Sequence, residues 1–128
     1  MTHLVHLLDA ITRRVAAKKQ QDEAEEKARK IAEWESYLAR VACEVTDLIR
    51  ENSQSLSVDS RFTERGLEFP VWPSEAYYEH VAGITVSPGN PVTTGAWRKF
   101  VTGWLDAGIR VFVRQDLDRL VTICFQPK

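Results

Sequence analysis

The stretch THLVHLLDAITRRVAAKKQQDEAEEKARKIAEWESYLARVACEVTDLIRE, Thr2–Glu51, contains neither glycine nor proline. It is rich in Ala, Glu, Lys, Arg, Gln and Leu, the residues that cost least to hold helical. Its apolar residues keep helical time. Ile31, Trp34, Leu38, Val41, Val45 and Leu48 recur at steps of three and four, the rhythm of one helix face. Leu4, Leu8, Ile11 and Val15 keep the same rhythm earlier. Between the two stripes lies AAKKQQDEAEEKARK, in which only alanines are apolar, and Glu23/Lys27 and Glu26/Lys30 stand at i,i+4 spacing.

At about 100° per residue the two stripes point roughly a third of a turn apart on a straight helix, so they need not face the same partner. Fifty helical residues would span about 75 Å. A compact chain of this length has a radius of gyration near ~14 Å. The helix therefore either bends near residues 16–26 or projects beyond its own domain. No strong breaker occurs there, so projection is expected.

The remainder alternates short strand and helix patterns. Asn52–Ser60 is polar and serine-rich and ends the helix. A hairpin is expected from strands Ser55–Phe62 and Leu67–Trp72, joined by Thr63-Glu64-Arg65-Gly66. Pairing Phe62 with Leu67 gathers Leu56, Val58, Phe62, Leu67, Phe69 and Val71 on one face and sets Arg61 opposite Glu68. Pro70 lacks an N–H, which marks the second strand as an edge or as one that ends early. A short helix should run from an N-cap at Ser74 to a stop at Gly83. Ile84–Ser87 then reads as a short strand, and Pro88-Gly89-Asn90-Pro91 as a turn.

Thr94 can cap a helix that places Trp97, Phe100, Val101, Trp104 and Leu105 on one face, with Gly108 just past its end. The run IRVFVR alternates, QDLDR turns, and LVTICFQ returns. With Arg114 opposite Leu120, Ile109, Val111, Val113, Val121, Ile123 and Phe125 share one face. Arg110, Phe112, Arg114, Leu120, Thr122 and Cys124 share the other. The expected order is α-β-β-α-β-α-β-β. This is an α+β fold with a long charged helix over 1–52 and a small domain over 53–128. Its sheet is mostly antiparallel, of about five strands, with the Trp97 helix on one face and the second half of the long helix on the other.

Composition narrows function. The 128 residues are 44% hydrophobic and 27% charged with a net charge of −1, ordinary for a folded domain and without a global field for nucleic acid. No run approaches the ~18 apolar residues of a membrane span. The two cysteines, Cys43 and Cys124, stand in no metal-ligand spacing and read as buried, reduced thiols of a cytoplasmic protein. The charges of the first twenty residues follow the apolar stretch rather than precede it, unlike a signal peptide.

No catalytic, metal or nucleotide motif is present, and no cofactor is implied. His3 and His6 stand three apart but lack further ligands at a convincing spacing. His80, beside Glu79 and near Tyr77, is the one candidate for an enzymatic base, though neighbouring helical residues point in different directions. Arg110, Phe112 and Arg114, with Arg98 and Lys99 on the preceding helix, form an alternative site for single-stranded nucleic acid, through a basic and aromatic sheet face. Chemistry is absent while amphipathic helix surface is in excess. The first expectation is therefore a non-enzymatic interaction protein, an adaptor, regulator or inhibitor of a larger protein. It would be a homodimer whose Leu4, Leu8, Ile11 and Val15 carry self-association or partner contact.

Overall fold

The computed structural model describes residues 2–72, 78–86, 89, 91–116 and 120–128. The long helix, α1, runs unbroken over Thr2–Ser53. It spans about 78 Å at 1.5 Å per residue. After it come β1 (Phe62–Thr63), β2 (Gly66–Val71), α2 (Tyr78–Val86), α3 (Pro91–Asp106), β3 (Ile109–Gln115) and β4 (Val121–Pro127). The four strands form one antiparallel sheet in the order β1-β2-β4-β3. The fold is α+β, with four strands among the described residues rather than five.

The three helices of the described residues pack on one face of this sheet. Trp34, Tyr37, Leu38, Val41 and Val45 of α1 share a core with Leu67, Phe69, Val71, Val111, Val121, Ile123 and Phe125. Val81 of α2 and the Trp97, Phe100 and Trp104 rings of α3 join the same core. Trp34 and Trp97 lie 6.4 Å apart between ring centroids, and Trp104 meets Phe125 edge-on at 5.3 Å. The expectation of helices on opposite faces is therefore corrected. The reason is the residue sorting itself. One face is lined almost wholly by branched and aromatic side chains, whereas the other, with Glu68, Pro70, Arg110, Phe112, Arg114, Thr122, Cys124 and Gln126, is mostly charged or polar. Cys124 and Thr122 are nonetheless buried there, at 2% and 3% exposure. Each is small and flanked on both neighbouring strands, Cys124 by Phe112 and Glu68, Thr122 by Arg114 and Pro70.

The first hairpin keeps its expected register, Phe62 opposite Leu67 and Thr63 opposite Gly66. Its first strand shrinks to two residues, however. Residues 54–61 make local turns instead. Asn52 Oδ1 accepts the Asp59 N–H at 2.7 Å, Ser55 Oγ accepts the Ser57 N–H, and Asp59 accepts both the N–H and the guanidinium of Arg61. Short polar side chains that satisfy nearby backbone compete with a strand ladder, and here they win. Leu56 and Val58 consequently stay exposed. The Arg61 side chain turns to Asp59 rather than Glu68, although the Glu68 N–H still donates to the Arg61 carbonyl at 2.9 Å. That bond shows that even-numbered residues of β2 face β1. Pro70 thus points its missing N–H where β1 has already ended, which lets a proline sit in an inner strand.

Three further expectations change. Ile84 to Val86 is the end of α2, not a strand, and Gly83 lies inside the helix. Ser74, Tyr77, Ser87, Pro88 and Asn90, and the cap and turn expected of them, lie outside the described residues. Helix α3 starts at Pro91 rather than at a Thr94 cap. A proline's fixed φ and absent N–H suit a first turn. The β3–β4 hairpin pairs Arg114 with Thr122, two residues from the expected Leu120, and Asp116 N–H closes it onto the Leu120 carbonyl at 2.9 Å. A slip of two preserves every side chain's face. Gly108 ends α3 as expected, with φ at 87° and its N–H on the Leu105 carbonyl.

Candidate interaction surface

Every residue from Thr2 to Lys30 is exposed. The helix enters the core only at Trp34, so about 43 Å of it extends as an arm. Nothing in the arm's sequence interrupts the i→i−4 ladder. Asp9–Arg13 at 3.1 Å and Glu26–Lys30 at 3.5 Å add exposed i,i+4 ion pairs, worth a few tenths of a kcal/mol each.

The outer half of the arm is apolar where a solvated helix should not be. Leu4 is 64% exposed, Leu8 65%, Ile11 52% and Val15 63%. Val5 and Leu7 are exposed beside them. These two were missed by a strict three-and-four template because they flank the stripe, one on each side. The signal lay in the paired Leu7-Leu8 and Leu4-Val5, which broaden a seam into a face. The six side chains form a contiguous apolar surface on a feature with no core of its own, the pattern that marks association sites. The buried face of α1 points roughly a third of a turn away from it.

The alternative basic and aromatic site is distributed differently. Arg110, Phe112 and Arg114 do share the helix-free face of the sheet, with the Arg110 guanidinium 5.6 Å from the Phe112 ring centre. Arg114, however, is clasped by Glu68 and Asp116, each at 2.9 Å, which raise its pKa further by hydrogen bonding. Two carboxylates offset the two arginines. Arg98 and Lys99 are exposed on α3, across the sheet from the three. The five residues are not brought together.

His80 is built into packing. Its Nε2 lies 3.2 Å from Glu33 Oε1, not near a Glu79 partner, and its ring lies against Trp34 at 5.3 Å. Tyr77 lies outside the described residues. His3 and His6 are exposed on the arm, and no cluster of metal-ligating side chains occurs among the described residues. Cys43 is exposed and Cys124 buried, which corrects the expectation for Cys43. Among the described residues no helix is long and apolar enough to cross a membrane.

No family model, no curated protein and no solved structure matches this chain.

Proposed function

We propose that this chain is a non-enzymatic protein–protein interaction module, an adaptor, regulator or inhibitor of a larger protein, that works as a homodimer through its N-terminal helix. The observation that carries the reading is the exposure of Leu4, Leu8, Ile11 and Val15 on an arm that packs on none of the other described elements. A monomeric helix of this kind has only propensity and i,i+4 pairs to hold it, since most helical stability comes from packing an apolar face. Covering that face with a second copy supplies the missing term. The proposed setting is the cytoplasm, where an exposed thiol such as Cys43 stays reduced.

Light scattering tests the proposal. The wild-type chain should show a dimer mass that falls on dilution. Leu8→Glu and Ile11→Glu should each convert it to a monomer while leaving the near-ultraviolet circular dichroism of the tryptophan-rich core unchanged. An unchanged mass in both variants would end the reading. Nothing in the geometry favours the nucleic-acid alternative over it, because the paired acids on the sheet face remove the net charge that phosphate binding needs.

A further inference from the structure

We infer that two arms pair antiparallel about a two-fold axis between Asp9 and Ala10, with Leu4 over Val15 of the second copy and Leu8 over its Ile11. The inference rests on the self-association proposed above and fixes its geometry. The spacing of Leu4, Leu8, Ile11 and Val15 is four, three, four, which reads the same in either direction. Under a two-fold perpendicular to the helices, such a palindromic seam matches itself, as a closed antiparallel isologous contact requires. The pairing joins each core position to its opposite kind, Leu4 and Ile11 to Val15 and Leu8, across four layers.

Charge decides between the two orientations. In a parallel pair Lys18, the next position of the seam, would face its own copy. Arg14 would also stand beside Lys19 of the second copy at the flanking positions. The block Arg13, Arg14, Lys18 and Lys19 would thus be doubled in one place. In the antiparallel pair the two blocks sit at opposite ends, about 20 Å apart along the axis. That is about twice the screening length at moderate salt. Each Arg14 then lies against Leu7 of the second copy, where its aliphatic stem can pack while the guanidinium stays in water.

The uncovered part of the arm fits the same arrangement. The paired seam ends at Val15, opposite Leu4 of the second copy. Beyond it, as far as Lys30, the helix carries no apolar residue larger than alanine, and all of it is exposed. This segment has the composition of a solvated spacer. It holds the two bodies apart, with about 65 Å between the two Ile31 positions, so the folded domains do not collide.

Spin labels test the pairing in the full chain. Gln20→Cys, in a Cys43→Ser background, places a label on the outer side of the arm, off the seam. The antiparallel pair predicts a dipolar distance of about 37 Å between the two labels, combining about 32 Å along the axis with about 20 Å across the pair. A parallel pair places them about 20 Å apart, across two helix diameters. A peak near about 37 Å that vanishes on adding Leu8→Glu establishes the arrangement. A short distance overturns it while leaving self-association standing. A monomer mass without dipolar coupling overturns both, and a dimer that survives Leu8→Glu moves the contact off the arm and overturns both as well.

Discussion

His80 ties α2 to the long helix: its Nε2 meets Glu33 Oε1 at 3.2 Å while its ring packs against Trp34, which is fully buried. The two contacts differ in weight. Glu33 is half-exposed, at 51%, so its side of the pair is solvent-screened, whereas the ring contact is dry.

Replacing His80 by alanine should therefore lower the unfolding free energy by about 1–3 kcal/mol, through lost packing on Trp34. Glu33→Gln should cost under about 0.5 kcal/mol. Urea titration followed by tryptophan fluorescence reads both. Equal losses would show that the polar contact with Glu33, not the ring, fastens α2.

Gly66 and Gly108 both hold positive φ, at 129° and 87°. A Cβ at Gly66 would run into the Phe125 carbonyl oxygen of the neighbouring strand, backbone that cannot step aside, whereas Gly108 faces open space. Gly108→Ala should cost about 1–2 kcal/mol, the left-handed penalty alone. Gly66→Ala should cost more and should disturb the β2–β4 ladder, visible as faster amide exchange at Leu67 and Phe125. Matching costs at both positions would contradict the described approach of the strands.

Asp59 has its pKa lowered to about 2, first by the Arg61 side-chain hydrogen bond and then by the Arg61 N–H. A carboxyl whose pKa falls on folding stabilises the fold above its unfolded value, near 3.8, and loses that contribution as pH drops through the folded value. Acid unfolding of the wild type should thus gain a proton-linked component between about pH 4 and 2. Asp59→Asn should lack it, and parallel acid titrations of the two proteins check the difference.

Thiol chemistry should separate the two cysteines. Burial pushes the Cys124 thiol up, only partly offset by Arg114 nearby. Ellman's reagent should titrate one thiol, Cys43, in the native protein and both in denaturant. Prompt reaction of both thiols in the native protein would mean that the helix-free sheet face opens readily.

The sequence made α1 legible because nothing in Thr2–Glu51 opposes a helix, and its two stripes announced two destinations. The Phe62/Leu67 register was legible because Gly66 fixes the turn. The β3–β4 pairing was legible only to within two residues, since alternation repeats every two and cannot register such a slip. What failed depended on context. Ile84-Thr85-Val86 is a β-branched run, but among the described residues it pairs with no strand, and burying Val81 extends the helix through Gly83 instead. Leu56 and Val58 alternate like a strand, yet the Asn52, Ser55 and Asp59 side chains claim the backbone first. At the candidate sites, the Leu4–Val15 stripe followed from periodicity. The separation of Arg98 and Lys99 from Arg110 did not, because chain proximity says nothing about which side of a sheet a helix takes.

The arm and the core-facing half of α1 share one uninterrupted ladder of hydrogen bonds, and this makes the helix both ruler and protractor. It has no joint at which the arm's aim can be adjusted independently of the body. Inserting one alanine between Lys19 and Lys30 should swing the Leu8 side of the arm through about 100° relative to the sheet and lengthen it by only about 1.5 Å. Inserting seven should restore its bearing to within about 20° and add about 10 Å of reach. Bearing and reach are thus separately adjustable quantities in this chain, and both are written into the number of residues between Val15 and Trp34.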